Sequence, residues 1–372
     1  MLRPLLIIGT RPEAIKMAPV FWECGRRPAE VLPTVCTTGQ HGELLDQAIS
    51  DLALDVDFRL DLMRPNQTLA GLTARCIEGI DQLLEKRSFD CVVAQGDTTT
   101  VMAASIAAYY RRVPFVHVEA GLRTGNLFSP WPEELNRRVA DTVSTLLCAP
   151  TQRAADALVR EGASADSVYI TGNTVVDTLV HILNRHRANP IDVGDRYAML
   201  ADRDMILITG HRRESFGDGL QNVCHAIIRL AEQMPDVSFV YPVHLNPNVQ
   251  DTTGRLLSGR SNVHPINPVP YPEFVWLMNR SRLIVTDSGG IQEEAPTLGK
   301  PVLITRPTTE RPEAIEAGVA RLVGTSVESI VTEVTRLMSD GNAYSASQAK
   351  PNPFGDGHAA ERIVDLILNL DS

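Results

Sequence analysis

No apolar run in the sequence approaches the roughly 18–20 residues that a bilayer-spanning helix needs, so no membrane span is expected. The short run near the N-terminus, "LLIIG", lacks a following small-residue cleavage site and reads as a first core strand rather than a secretory leader. Positive charge is scarce. The 35 Lys and Arg stand against 45 Asp and Glu, a net charge of −10, which excludes nucleic acid as a general partner. An anionic ligand would need locally gathered Arg, Lys, His and backbone N–H groups. The six cysteines form no C-x-x-C, and nothing signals a metal site. Cys91, Cys148 and Cys224 lie in apolar segments and read as reduced core residues of a cytoplasmic protein. The first strand runs into "GTRPEAIKMAP", which lacks the second and third glycines of G-x-G-x-x-G, so neither a nicotinamide nor a flavin cofactor is expected.

What is present is a strand–helix alternation. Apolar runs at 5–9, 91–95, 115–119, 205–209, 238–243, 283–287 and 301–305 read as buried parallel strands, and amphipathic segments such as "TLAGLTARCIEGIDQLLEK" separate them. A chain of 372 residues suits two domains, and the fold class expected is α/β with parallel sheets. The halves share a grammar. "LLIIGTRPEA" is echoed by "ILITGHRRES", and the stretch 91–123 by 283–313, each as strand, polar turn, helix and Pro-led strand. Two echoes in one order predict two Rossmann-like domains facing each other across a cleft. The boundaries expected are 1–168, 169–355, and a terminal helical segment 356–372 packing back on the first domain. Ligands of open α/β sheets bind beyond the carboxyl ends of strands, which is where the polar loops fall.

Those loops carry two alternative readings each. Ser288-Gly289-Gly290 opens a helix after a strand, which suits a diphosphate seat, with Glu294 accepting ribose hydroxyls one turn on. It equally suits a plain N-cap with glycines for the turn. Arg11 at the end of the first strand, with Lys16 a turn further, fits bidentate phosphate binding or a solvated surface cation. Asp97, Glu119 and Glu133 stand at the mouths of neighbouring elements. Crowding there would raise one carboxyl pKa and make an acid or base near neutral pH. The competing reading is a buried acid paired with Arg123 or Arg137. "TGHRRES", with His211, and "TRPTTERPEA", with Arg306 and Arg311, would form a cationic clamp from the second half. Phe274 can face a planar base or pack in the core.

Together "GTRPEAIKMAP", "QGDT", "HVEAGLR", "PEELNRR", "TGHRRES", "YPVHLNP", "TDSGGIQEEAPTLGKPVL" and "TTERPEA" strongly resemble the non-hydrolysing UDP-N-acetylglucosamine 2-epimerases, in the family's order and over nearly the whole chain. The resemblance implies a GT-B architecture and interconversion of UDP-GlcNAc and UDP-ManNAc with no cofactor, commonly in a homodimer that supplies polysaccharide synthesis. By motif it assigns Asp97, Glu119 and Glu133 to acid–base work, with Arg137 and His211 on the diphosphate side. It assigns Arg11, Lys16, Phe274, Ser288, Gly289, Gly290, Glu294 and Arg311 to UDP binding. It also implies a second, regulatory site around Gln40, Glu43, Gln67 and His244. There Gly42 and Asn66 stand where relatives carry basic side chains, so the regulation is expected to differ. A hydrolysing epimerase, a GT-B glycosyltransferase and a silent UDP-sugar sensor are the alternatives; the three-carboxylate set argues against the last two.

Overall fold

The computed structural model describes residues 1–370 apart from 40–41, 65–66, 201–202, 211–217 and 349. The chain forms two compact units, one of residues 1–180 with 354–372 and one of residues 181–353.

In the N-terminal unit the chain runs β1 (Pro4–Ile8), α1 (Arg11–Arg26), β2 (Thr34–Thr37), α2 (Gly42–Asp51), β3 (Phe58–Arg59), α3 (Leu69–Lys86), β4 (Cys91–Gln95), α4 (Thr99–Arg111), β5 (Phe115–Val118), α5 (Glu133–Val143), β6 (Leu146–Ala149), α6 (Gln152–Arg160) and β7 (Val168–Ile170). The seven strands are all parallel, in the order β3-β2-β1-β4-β5-β6-β7. β1 and β4 are buried along their whole length, which explains their unbroken apolar sequence: helices cover both faces and no residue alternates outward. The core gathers Leu5, Ile7, Val92, Ala94 and Phe115 from the strands against Ile80 and Leu83 of α3 and Ala104 and Ala108 of α4.

The division between the units falls within α7 (Thr174–Ala188). The C-terminal unit follows as β8 (Asp204–Thr209), α8 (Asp218–Gln233), β9 (Val237–Pro242), α9 (Pro247–Leu257), β10 (Val263–Ile266), α10 (Tyr271–Arg280), β11 (Leu283–Thr286), α11 (Gly289–Glu294), β12 (Val302–Ile304), α12 (Pro312–Glu316), β13 (Ala320–Leu322), α13 (Val327–Ser339) and α14 (Gly341–Gln348). Its six parallel strands are ordered β10-β9-β8-β11-β12-β13. The chain then rejoins the N-terminal unit: the Asn173 N–H donates to the Phe354 carbonyl at 2.7 Å, and α15 (Ala359–Leu368) receives a cap from Asp177, whose Oδ1 accepts from Ala360 N at 2.8 Å. An Arg27–Asp365 ion pair joins α15 to the end of α1.

In each sheet the strand order reverses once, between β1 and β4 in the first and between β8 and β11 in the second. The two sequence echoes fall on those same pairs. At such switch points neighbouring strands feed helices on opposite faces, and the loops diverge to leave a crevice.

Candidate active site

Ile7 lies opposite Ala94, so the loops Gly9-Thr10 and Gly96-Asp97 leave the N-terminal sheet as neighbours. Thr10 caps α1 in a reciprocal box: its Oγ1 accepts from Glu13 N at 3.4 Å, while Glu13 Oε2 accepts from Gly9 N at 2.5 Å and Thr10 N at 3.2 Å. The other Glu13 oxygen accepts from Thr98 Oγ1, the N-cap of α4, at 2.6 Å. One buried carboxyl therefore ties the two switch-point loops together. Burial pushes its pKa up to about 7, against the lowering effect of the Thr98 and backbone donors, and the charge of Asp97 adds to the rise. Gly9 is required here by space: a Cβ would lie 2.3 Å from Thr100 Oγ1. Glu13 is not among the residues expected from the motifs, although T-x-x-E before an apolar run is the signature of such a box.

Asp97 meets Arg137 of α5 in an ion pair, and its carbonyl accepts from Asn136 Nδ2 at 2.9 Å. The pairing expected of a structural acid is thus present, yet the Asp97 side chain stays 30% exposed against 5% for Arg137. One oxygen is anchored and the carboxylate remains accessible. Arg137 also reaches Glu134 at 3.3 Å. Glu134 is fully buried and accepts from the N–H groups of Thr124 and Gly125, so it anchors the loop ahead of α5. Its neighbour Glu133 is the first residue of that helix and half-buried.

Glu119 follows β5 with φ +66, in the left-handed region. A side chain there costs on the order of 1–3 kcal/mol, and such strain gathers at functional sites. Two donors hold it: Lys16 Nζ at 2.5 Å and Gln95 Nε2 at 2.7 Å, both to Oε2. Lys16 comes from the second turn of α1, whose first residue is the half-buried Arg11. The N-terminal unit therefore brings Arg11, Lys16, Asp97, Glu119, Glu133 and Arg137 to the carboxyl end of one sheet.

In the C-terminal unit Thr209 lies opposite Thr286, and their hydroxyls meet at 2.6 Å. Thr286 Oγ1 also accepts from Ser288 N at 2.9 Å. Ser288 is the N-cap of α11 but makes no side-chain capping bond. The two glycines that follow differ in their surroundings. A Cβ on Gly289 would sit 3.0 Å from the Arg311 guanidinium carbon, so that glycine is what lets Arg311 lie against the helix. Among the described residues a Cβ on Gly290 would meet only Ser288 Oγ, at 3.9 Å, and their packing gives no reason for glycine there. Arg311 is held by Glu293 at 2.8 Å and Glu310 at 2.7 Å, so it is an oriented cation rather than a bare one. Glu294 is buried at the last position of α11. Phe274 is half-buried in the first turn of α10. Beside that turn, a surface cavity of about 610 Å³ is lined by Tyr197, Val243, Thr253, Ile266 and the loop to Pro270. His211 lies outside the described residues.

Of the second-site residues, Glu43 is exposed on α2, Gln67 is bound by Arg75, and His244 is exposed after β9, where its Nδ1 accepts from Asn246 N at 3.1 Å. Gln40 and Asn66 lie outside the described residues. Gly42 opens α2, and among the described residues a Cβ there would meet nothing within 4 Å.

The chain is similar to proteins of one family along nearly its whole length. The family model described as UDP-N-acetylglucosamine 2-epimerase matches residues 23–368. The Escherichia coli K12 protein named UDP-N-acetylglucosamine 2-epimerase is 47% identical over 372 residues, covering 99% of each chain. A Ralstonia solanacearum protein named probable UDP-N-acetylglucosamine 2-epimerase is 48% identical over 371 residues, again with 99% of each covered. Among solved structures, the Neisseria meningitidis UDP-GlcNAc 2-epimerase bound to UDP-GlcNAc aligns at a TM-score of 0.91 and 45% identity, covering 99% of this chain and 100% of that one. The Methanocaldococcus jannaschii enzyme in complex with UDP-GlcNAc and UDP aligns at 0.83 and 31%, covering 98% and 99%. With both sheets, the loop glycines and the strand-end acids present along a match of this length, the chain belongs to the UDP-N-acetylglucosamine 2-epimerase family of isomerases.

Proposed function

We propose that the protein interconverts UDP-GlcNAc and UDP-ManNAc by eliminating UDP and adding it back, without hydrolysis and without a cofactor. The observation that carries this reading is the pair of acids at the ends of β4 and β5: Asp97 anchored by Arg137 through one oxygen, and Glu119 strained and held by Lys16. The proton at C2 of the sugar, beside an acetamido group, is too weakly acidic for simple removal. Breaking the C1–O bond builds oxocarbenium character and makes that proton labile. One carboxylate of the Asp97, Glu119 and Glu133 set takes it, UDP leaves with the electron pair of the C1–O bond, and 2-acetamidoglucal remains. A carboxylate on the other side returns a proton to the opposite face of C2 while a β-phosphate oxygen rebinds C1. Lys16, as the ion-pair partner of Glu119, favours the ionised base.

Charge grows on the β-phosphate as UDP departs. Arg11, His211, Arg311 and the Ser288-Gly289-Gly290 turn are the groups proposed to meet it, and one well-placed donor of this kind is worth about 3 kcal/mol. Gly290 supports the reading because, among the described residues, only Ser288 comes near it, which leaves room for a ligand. Glu294 would take the ribose and Phe274 the uracil. The six cysteines are free and buried, as suits a reducing compartment. The reading is completed by a cytoplasmic homodimer whose product feeds cell-surface polysaccharide synthesis.

The test is incubation of UDP-GlcNAc with the protein in D₂O, followed by NMR. Deuterium at C2 of both UDP-GlcNAc and UDP-ManNAc is expected. Free ManNAc with stoichiometric UDP would instead identify a hydrolysing epimerase, and no exchange at C2 would end the reading.

A further inference from the structure

His117 is the third residue of β5 and wholly buried, a position that an apolar side chain would ordinarily fill. Both of its ring nitrogens are engaged. Nε2 lies 2.7 Å from the Gly96 carbonyl, and a carbonyl only accepts, so Nε2 carries a proton. Nδ1 lies 2.6 Å from Asp141 Oδ1 on α5. The second Asp141 oxygen faces the Arg123 guanidinium at 2.7 Å, and Arg123 in turn pairs with Glu161 at 2.8 Å. A carboxylate already beside an arginine stays ionised, which leaves the Nδ1 proton on the imidazole.

We infer that His117 is a buried imidazolium whose task is to position Asp97: it grips the carbonyl of Gly96, the residue immediately before Asp97, and is itself held by Asp141 and Arg123. Gly96 has φ +89, in the left-handed region, so the turn into Asp97 needs both a glycine and a fixed carbonyl. Asp97 is then located from two sides, through its preceding peptide by His117 and through its carboxylate and carbonyl by Arg137 and Asn136. The groups that face the ring are Asp141 from α5, Arg123 from the loop after β5, the Gly96 carbonyl from the loop after β4, and the Phe115 ring, 6.1 Å away. Burial alone lowers the pKa of His117, but the Asp141 charge, its hydrogen bond and the Gly96 carbonyl outweigh it and move it above the ordinary value. Asp141 moves downward: burial opposes this, and His117 and Arg123 prevail.

The positioning role rests on the acid–base function proposed for Asp97; the imidazolium and its grip on Gly96 do not. The experiment separates them. In ¹⁵N-histidine-labelled protein, NMR is expected to find protons on both His117 nitrogens throughout the neutral pH range, and in Asp141→Asn the ring is expected to lose one. A neutral ring in the unmodified protein would overturn the proposal. His117→Gln keeps a donor near the Nε2 position, whereas His117→Asn keeps only the one near Nδ1. His117→Asn is expected to lose about 100-fold in kcat with little change in KM, as for a displaced catalytic group, and His117→Gln to lose about 10-fold or less. The Gly96 and Asp97 amide resonances should move in the first variant and hold in the second. Equal losses in both variants, or unmoved amides, would mean a plain core histidine. Absence of C2 exchange in the unmodified protein would refute the function reading, while the ring protons and the amide shifts would still decide the rest.

Discussion

Each sheet bridges its own switch point, and the two do so with different chemistry. In the N-terminal unit the loops after β1 and β4 meet through the Glu13 carboxyl, which accepts from Gly9, Thr10 and Thr98. In the C-terminal unit the ends of β8 and β11 meet through two hydroxyls, Thr209 and Thr286. Around the first junction stand acids, each with a cation or amide against it: Asp97 with Arg137, Glu119 with Lys16 and Gln95. Around the second stand hydroxyls and glycines beside the buried Asp287, with Arg311 oriented over Gly289 by two glutamates. On the function proposed above, one architecture would support a site where the location of a proton matters and a site where closeness of approach matters. Acids need partners to fix their charge state and geometry; a backbone meeting a phosphate needs the absence of side chains.

That contrast can be broken most forcefully at Asp97. Asp97→Asn preserves shape and removes one of the proposed proton carriers, so C2 exchange in D₂O should fall about 1000-fold. UDP affinity measured by calorimetry should change little. Loss of UDP binding in step with exchange would show that the acids also hold the nucleotide.

Glu13 sharpens the contrast through pH. Its folded pKa is raised from the ordinary 4.5 to about 7, so the folded state binds this proton more tightly than the unfolded chain. The resulting stabilisation is full below about pH 4.5 and is lost as pH rises through about 7, amounting to about 3 kcal/mol from a shift of this size. Thermal melts of Glu13→Gln should lack this component, so the gap in Tm between variant and unmodified protein should widen toward alkaline pH in favour of the variant. A constant gap would remove Glu13 as the titrating link. No such dependence is expected of Thr209→Val in the other unit.

Gly290 tests the glycine side. Gly290→Ala adds a methyl group with open space around it, so Tm should hold while UDP affinity drops about tenfold, or about 1.4 kcal/mol. Gly289→Ala should disturb Arg311 and lower both. Unchanged UDP binding in Gly290→Ala would place the phosphates elsewhere.

The smallest effect is regulatory. With UDP-ManNAc as substrate, added UDP-GlcNAc should change the rate by less than the roughly fivefold of ordinary allosteric coupling, since Gly42 and Asn66 offer no positive charge. Among the described residues a Cβ at 42 would meet nothing within 4 Å, and Gly42→Arg, which restores a positive charge, should raise the response. Strong dependence on UDP-GlcNAc in the unmodified protein would sink this expectation.

The strands most legible from sequence were the central ones. Expected at 91–95 and 115–119, they stand at Cys91–Gln95 and Phe115–Val118, because a strand covered by helices on both faces must be apolar throughout. β2, β3, β6, β7, β10 and β13 were not anticipated: each has four residues or fewer, and β3, β7, β10 and β13 are also partly exposed, which breaks the apolar run. In the site, motif reading found Asp97 and Glu119 and offered Arg137 as a partner for one of the acids, but not what holds Glu119. Gln95 and Lys16 converge on Glu119 from sequence distances of 24 and 103 residues, and nothing local in the chain announces such a meeting.

By itself the sequence determined the parallel α/β class, the doubled plan and the position of each polar loop at a strand end, since these follow from local periodicity and from glycine and proline chemistry. Only the tertiary structure decided which acid meets which cation, that Glu13 joins two loops, and that His117 turns inward to grip Gly96. Those outcomes depend on strand order and register, which bring together residues whose separation along the chain carries no trace of their contact.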